Sequence, residues 1–149
     1  MGHIRRFDHV GITVADLETV TAFFVSLGLE AEGPPMPVEG TFLDTVIGIP
    51  GSATEIVMLT TPDGGTRLEL SRFVRPDHVP GSPGAMANEL GLRNVAFEVD
   101  DLQAAVERAA AQGYGLVGAV GRHEDLWLMA YVRGPEGLIV SLAERIGGA

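Results

Sequence analysis

Cysteine is absent from the 149-residue sequence, and positive charge is scarce, with 10 lysines and arginines against 20 aspartates and glutamates. The absence of cysteine excludes disulfides, thiolate metal ligands and cysteine nucleophiles. The formal net charge of −10 has the wrong sign for phosphate backbones or anionic lipid, so we expect no nucleic-acid and no membrane partner. Apolar runs of about 18 residues, which a spanning helix needs, are also lacking, and we expect a cytoplasmic protein.

Two common catalytic motifs are missing as well. The sequence has neither a G-x-S-x-G nucleophile elbow nor a Walker-type glycine loop, so nothing supports a serine or phosphate-loop mechanism. What it does have is an apolar content of 46% and a mean hydropathy of +0.22, which suffice for a hydrophobic core. Residues 1–149 are therefore expected to form a single domain.

The chain contains an internal repeat. The segment FDHVGITVADLETVTAFFVSLGLEAEG, from Phe7, aligns without a gap on LRNVAFEVDDLQAAVERAAAQGYGLVG, from Leu92. The identical pairs fall where a strand core, a helix start and a helix stop are expected, which argues against coincidence. These pairs are Val10/Val95, Val14/Val99, Asp16/Asp101, Leu17/Leu102, Gly28/Gly113 and Gly33/Gly118.

The periodicity of both copies predicts a strand, then a helix, then three further strands. Asp16 and Gly28 are the expected cap and stop of the first helix, and Asp101 and Gly113 those of the second. The later strands are expected at 41–47, 54–60 and 66–74, and at about 115–120, 126–133 and 138–143. The predicted fold is α+β, with βαβββ units at about 5–74 and 92–145 forming curved, antiparallel-rich mixed sheets around a cavity. The connector, 75–91, is expected to hold a short helix from Ala85 to Leu90.

Strand alternation places two metal-ligand types on the sheet face away from the helix. Leu68 and Leu70 share the apolar face, so Glu69 points the other way, as does His9 opposite Val10. Imidazole and carboxylate are ligands for divalent metals. The alternative is a hydrogen-bonded structural histidine and a solvated glutamate.

The segments FDHVGITVADLETVTAFFVSLGLEAEG, GGTRLELSRF and VRGPEGLIVSLAERIG resemble the vicinal oxygen chelate superfamily, which includes glyoxalases, bleomycin-resistance proteins and extradiol dioxygenases. This resemblance implies a metal between two concave sheets, held by the first and last strands of each unit. His9 and Glu69 occupy two of those positions. Asn94 and Ser141 occupy the other two, where the family commonly has histidine and glutamate.

Candidates for a third ligand are His123 and Glu124, of which we choose Glu124; the alternative is that both lie in a surface loop. His3 and His78 lie near a terminus and in the connector and are not expected to be ligands. Trp127, Met129 and Tyr131 alternate with Leu128, Ala130 and Val132, and if the larger set faces the cavity they form an aromatic wall. The expected substrate-binding residues are Asn94, Trp127, Met129, Tyr131, Ser141 and Arg67.

The resemblance implies a glyoxalase-like lyase or isomerase that acts on a small oxygenated substrate by metal-stabilised enolate chemistry. His9 would be a metal ligand, and Glu69 a ligand and the catalytic base. The metal would be a divalent ion such as Zn, Ni, Co, Mn or Fe. The alternative is a protein of the bleomycin-resistance type that binds a drug or metabolite without converting it. We also expect a homodimer with equivalent sites.

Overall fold

A computed structural model of the protein describes residues 2–148. The chain divides into two compact units, one ending at Pro80 and the other beginning at Gly81. The first unit contains β1 (Val10–Thr13), α1 (Leu17–Leu27), β2 (Glu30–Ala31), β3 (Met36–Glu39), α2 (Thr41–Ile47), β4 (Ala53–Thr60) and β5 (Arg67–Arg75). The second contains β6 (Asn94–Val99), α3 (Leu102–Ala111), β7 (Gly121–His123), β8 (Trp127–Arg133) and β9 (Ile139–Arg145), with a 3₁₀ turn at Pro135–Gly137.

The sheet of the first unit has the strand order β1-β5-β4-β2, and β3 pairs with the other half of β4. Strands β1 and β5 are parallel, whereas β4 runs antiparallel to β5, β2 and β3. Helix α1 packs on one face of this sheet through Val20, Phe23 and Phe24, which are fully buried. Leu59 and Leu70 supply the sheet side of this core. The mixed, open sheet with one helix-covered face confirms the predicted fold class.

The predicted caps Asp16, Gly28 and Asp101 are confirmed, whereas the C-cap of α3 is Gln112, one residue before the predicted Gly113. Asp16 accepts hydrogen bonds from the backbone N–H of Thr19, at 3.0 Å, and from its hydroxyl, at 2.7 Å, which lowers the pKa of Asp16. Gly28 ends α1 with a φ of 121°, a conformation that favours glycine. Asp101 repeats the first cap by accepting from Ala104 N–H at 2.9 Å.

The sheet of the second unit has the order β6-β9-β8-β7, with β6 parallel to β9. Its register matches that of the first unit at the positions predicted by the repeat. Gly11 pairs with Glu69 in the first unit, and Ala96 pairs with Ser141 in the second. Ser141 therefore holds the place that corresponds to Glu69.

Three predicted segments were wrong. Residues 41–47 form α2 rather than a strand, and β2 and β3 provide the outer pairing of β4 instead. Residues 115–120, predicted as a strand, contribute only an isolated bridge from Leu116 to Val132. The outer strand of the second unit's sheet is β7. Residues 85–90 form turns rather than a helix.

The turns near Ala85 have a specific cause. The guanidinium of Arg133 donates to the carbonyls of Pro83 at 3.0 Å and Ala85 at 2.8 Å, and also to the carbonyl of Gly137. The carbonyl of Ala85, which a helix over residues 85–90 would use internally, is thereby bonded to a side chain from β8. We name this arrangement the Arg133 clamp.

Asp44 explains how α2 is held against the start of β4. One carboxylate oxygen accepts from the backbone N–H and the hydroxyl of Ser52, at 2.9 and 2.6 Å, and the other accepts from the N–H of Gly51 at 2.9 Å. These hydrogen bonds lower the pKa of Asp44, and the bond from the Ser52 hydroxyl has the largest effect. Ser52 is buried, so its polar groups depend on this carboxylate.

We expect Asp44→Asn to lower the midpoint of thermal unfolding at neutral pH, because an amide nitrogen replaces one acceptor oxygen. The native pKa of Asp44 is lowered, so its contribution to stability is present above the ordinary value of 3.8 and is lost as the pH falls through the native value. The difference between the two proteins should therefore shrink in acid. Thermal unfolding across this pH range measures it, with Asp77→Asn as the exposed control. An unchanged difference at low pH would contradict the assignment.

Among residues 2–148, no helix combines the length and apolar character needed to cross a membrane.

Candidate functional site

A histidine and a glutamate meet on the face of the first sheet opposite α1. His9 precedes β1 and Glu69 lies in β5, and the distance from His9 Nε2 to Glu69 Oε2 is 3.8 Å. Their side chains are 36% and 30% exposed, so both are reachable from solvent and partly shielded. The predicted convergence of these two residues on one face is thus what the strand register produces.

Asp8 orients the imidazole of His9. The distance from His9 Nδ1 to Asp8 Oδ2 is 2.7 Å, and this hydrogen bond is the main reason that the pKa of Asp8 is lowered. If Nδ1 carries the proton that it donates to Asp8, Nε2 presents a lone pair toward Glu69. This is the tautomer in which a histidine can bind a metal or accept a proton through Nε2.

Ser71 is a further polar neighbour of Glu69. It lies two residues further along β5 on the same face, and its hydroxyl donates to Glu69 Oε1 at 3.4 Å. This long contact occupies one carboxylate oxygen and leaves Oε2, the oxygen nearer His9, for another partner.

The positive charge of Arg67 is held by acidic residues. Its Nε and Nη2 donate to the two carboxylate oxygens of Glu32 at 2.7 and 2.9 Å, which is a bidentate pair. The hydrogen bond with Glu32 is the largest cause that raises the pKa of Arg67, and the charges of Asp8 and Glu69 add to it. Arg67 lies on the predicted face, but Glu32 already occupies its guanidinium.

Apolar side chains flank Glu69 on β4. Met58 stands directly opposite Glu69, and Ile56 opposite Ser71. Phe73 on β5 and Met36 on β3 extend this apolar strip on the same face. On the other side of Glu69, Gly11 of β1 leaves open space, because a Cβ there would meet nothing within 4 Å. The polar pair thus lies between an apolar strip and a gap.

The second unit lacks side chains that correspond to the imidazole of His9 and the carboxylate of Glu69. Asn94 stands where His9 stands in the first unit, and its amide donates to the hydroxyl of Tyr131 at 3.4 Å. Ser141, in the place of Glu69, is only 3% exposed. This sheet therefore has no equivalent of the His9–Glu69 pair.

Trp127, Met129 and Tyr131 share a face with Ser141. Tyr131 pairs directly with Ser141, whereas Ala130 and Val132, the alternate residues of β8, are buried. Trp127 also lies under the guanidinium of Arg145, 5.3 Å from the ring centre. The larger side chains of β8 are thus on the face away from the core, and their contact with a substrate stays a prediction.

The predicted third ligand, Glu124, lies in the turn after β7 with a φ of 51°. Both it and His123 are exposed. Within residues 2–148 there is no group of three or more histidine, aspartate or glutamate side chains that could hold a metal ion. The participation of Glu124 stays a prediction.

Sequence reasoning missed a cavity on the helix-covered face of the first unit. It measures about 930 Å³ and extends from the start of α1 to Pro35 and to the ion pair of Glu55 with Arg72. Glu55 and Arg72 pair across β4 and β5 on the same face as buried Val57. The sequence signal for this cavity was the presence of two opposite charges, Glu55 and Arg72, at strand positions that face the helix. His9 and Glu69 do not line this cavity, since they lie on the other face.

Known proteins are similar to this chain both in fold and over most of its sequence. Residues 8–131 match the sequence model of the glyoxalase/bleomycin resistance protein/dioxygenase superfamily. The structure of a glyoxalase family protein from Bacillus cereus is similar, with 38% identity, a TM-score of 0.93, and coverage of 98% of this chain and 97% of the other. No curated protein matches the sequence.

Two more distant structures support the fold alone. A glyoxylase/bleomycin resistance protein/dioxygenase domain from Frankia sp. EAN1pec has 15% identity and a TM-score of 0.66, with 99% of this chain and 96% of that chain covered. A glyoxalase family protein from Enterococcus faecalis has 22% identity and a TM-score of 0.61, with 94% and 98% covered.

Proposed function

The chain belongs to the glyoxalase/bleomycin resistance protein/dioxygenase superfamily, and on that premise we propose that it is a glyoxalase-like lyase or isomerase acting on a small oxygenated substrate. The observation that carries the proposal is the 3.8 Å approach of Glu69 Oε2 to His9 Nε2 on an accessible sheet face. A carboxylate and an oriented imidazole are groups that move protons in catalysis. We assign proton transfer to this pair.

The pair fits a divalent metal as two of its ligands. Imidazole nitrogen and carboxylate oxygen are ligand types for divalent ions such as zinc, so His9 and Glu69, whose Nε2 and Oε2 lie 3.8 Å apart, are the residues that would hold one. The hydrogen bond of Asp8 to the far nitrogen of His9 is typical of metal-binding histidines. Catalytic sites usually have three protein ligands, so we expect weak binding by these two. Such an ion would polarise a substrate oxygen.

Each residue of the site has a separate role in the proposed reaction. Glu69 accepts a proton at Oε2 from the substrate carbon beside the carbonyl when that oxygen is not bound to a metal, and the protonated carboxyl returns the proton to the enolate to give the product. The Ser71 hydroxyl donates to Oε1, which favours Oε2 as the reacting oxygen. Asp8 holds the His9 ring so that Nε2 faces the reacting groups.

We expect Zn, Ni, Co, Mn or Fe to raise the midpoint of thermal unfolding of protein purified without chelator, and His9→Ala to abolish this rise. Asp8→Asn should weaken metal binding by about tenfold or more, because it removes the negative charge that strengthens the hydrogen bond accepted from His9 Nδ1. Glu124→Gln tests the predicted third ligand in the same assay. His78→Ala, in the connector, is the matched control. No stabilisation by any of these metals would contradict metal binding at the pair.

A second candidate is a binding protein that sequesters a drug or metabolite without converting it. Asn94 and Ser141 favour it, because they remove from the second unit the donors that His9 and Glu69 supply in the first. A carbon acid incubated in heavy water separates the two candidates. Exchange of its proton for deuterium requires proton transfer, whereas a bound compound recovered without deuterium supports sequestration. The homodimer also stays a proposal.

A further inference from the structure

The charges around Glu69 restrict which substrates this face accepts. Asp8, Glu32 and Glu69 are acidic, and the two cations beside them are already paired with these carboxylates: Arg67 with Glu32 by two hydrogen bonds, and Arg6 with Asp8 at 3.4 Å. A substrate carboxylate placed here would meet acidic side chains and find both guanidinium groups paired. Like charges brought together in a partly shielded site disfavour binding. The face is therefore unsuited to anionic compounds.

The apolar strip indicates a second property of the substrate. Met58 and Ile56 lie directly across from Glu69 and Ser71, and Met36 and Phe73 continue the surface. Met36 is 56% exposed, so this strip offers apolar area that a ligand can cover. Methionine and phenylalanine side chains make favourable contacts with a flat ring.

Resting on the proposed function, we propose that the His9–Glu69 site selects uncharged hydroxycarbonyl compounds that carry a flat apolar group, and that it discriminates against carboxylates. The oxygenated end lies at His9 and Glu69, over the gap left by Gly11, and the apolar group covers Met58 and Ile56.

Calorimetric titration of the whole chain, freed of metal by a chelator, with three related probes tests this selectivity, because a bound divalent ion would itself attract a carboxylate. 2-Hydroxyacetophenone, with its hydroxyl group on the carbon beside the ketone, is uncharged and aromatic; hydroxyacetone lacks the ring; and mandelate keeps the ring and a hydroxyl group but carries a carboxylate. We expect 2-hydroxyacetophenone to bind about tenfold more tightly than hydroxyacetone, through burial of the ring. Mandelate should bind at least about tenfold more weakly than 2-hydroxyacetophenone, because of the acidic surroundings. Preference for mandelate or for hydroxyacetone would overturn the proposal.

Variants locate the effect at this face. Gly11→Val should fill the gap beside Glu69 and abolish binding of 2-hydroxyacetophenone without lowering thermal stability, since its Cβ has free space. Met58→Gln should reduce the preference for the ring by about fivefold. Unchanged binding in Gly11→Val would place the ligand elsewhere and overturn the proposal.

The ion pair provides a test of charge selection. Glu32→Gln releases Arg67, and we expect mandelate to bind about two- to fivefold more tightly as a result. Glu39→Gln is the matched control, because it makes the same change to the ion pair with Arg75, whose Nη2 lies 2.9 Å from the Glu39 carboxylate. An equal gain in both variants would contradict a specific role for Arg67.

The proposed function and this selectivity fail in different ways. If 2-hydroxyacetophenone binds selectively but does not exchange its proton in heavy water, the selectivity holds and the catalytic proposal fails. If exchange occurs equally with hydroxyacetone, the catalytic proposal holds and the selectivity fails. If none of the probes binds, both are overturned.

Discussion

Replacement of Glu69 by glutamine lowers the rate of deuterium exchange into 2-hydroxyacetophenone by about 100-fold or more, if Glu69 is the catalytic base. Glutamine keeps the size of the side chain and its hydrogen bond from Ser71 but cannot accept the proton from carbon. The rate is measured by proton NMR in heavy water, from the loss of the signal of the protons on the carbon that bears the hydroxyl group. Binding of the probe should change far less than the rate.

The control for this variant is Glu98→Gln, which changes an exposed strand glutamate of the second unit in the same way. It should leave the exchange rate unchanged. Thermal unfolding of both variants verifies that they remain folded. A Glu69→Gln protein that exchanges at the rate of the unaltered chain would exclude Glu69 as the base, whatever its role in binding metal.

Replacement of Phe24 by alanine lowers the free energy of unfolding by about 3–5 kcal/mol, the range found for large aromatic residues removed from cores. Phe24 is fully buried and packs edge-to-face on Phe23, with ring centres 5.3 Å apart. The substitution removes the ring and leaves a cavity between α1 and the first sheet. Urea unfolding measures the loss.

Phe42→Ala supplies the matched comparison within the same unit. Phe42 lies in α2 and is 81% exposed, so its removal should change the free energy of unfolding by less than about 0.5 kcal/mol. Equal losses in the two variants would mean that the core does not lie between α1 and the sheet.

The sequence was most informative where local chemistry is decisive. Asp16 and Gly28 determine where α1 begins and ends through a side-chain hydrogen bond and a positive φ, and both signals are visible in the sequence. The placement of Glu69 opposite Leu70 follows from strand alternation alone. The repeat then supplied Asn94 and Ser141 as counterparts, and the register of the two sheets agrees with that alignment.

The predictions that were wrong missed interactions between residues that are far apart in the sequence. Residues 41–47 have apolar side chains suited to a strand, but Asp44 bonds Ser52 and the chain forms α2. The helix expected near Ala85 is prevented by Arg133, which lies far along the chain. The bidentate pair of Arg67 with Glu32 likewise joins residues that no local pattern connects. Such partners can be identified only once the fold is known.

The Arg133 clamp offers a practical route to studying the site by NMR. It fastens residues 83–85 to the second unit, so the covalent link between the units is the exposed stretch 76–80 that precedes the clamp. A break there would cut no strand or helix, because all elements of the first unit precede it and all elements of the second unit follow it. Ligation of two separately produced fragments at this stretch would allow segmental isotope labelling. The signals of His9 and Glu69 could then be followed during titration without overlap from the repeated second half.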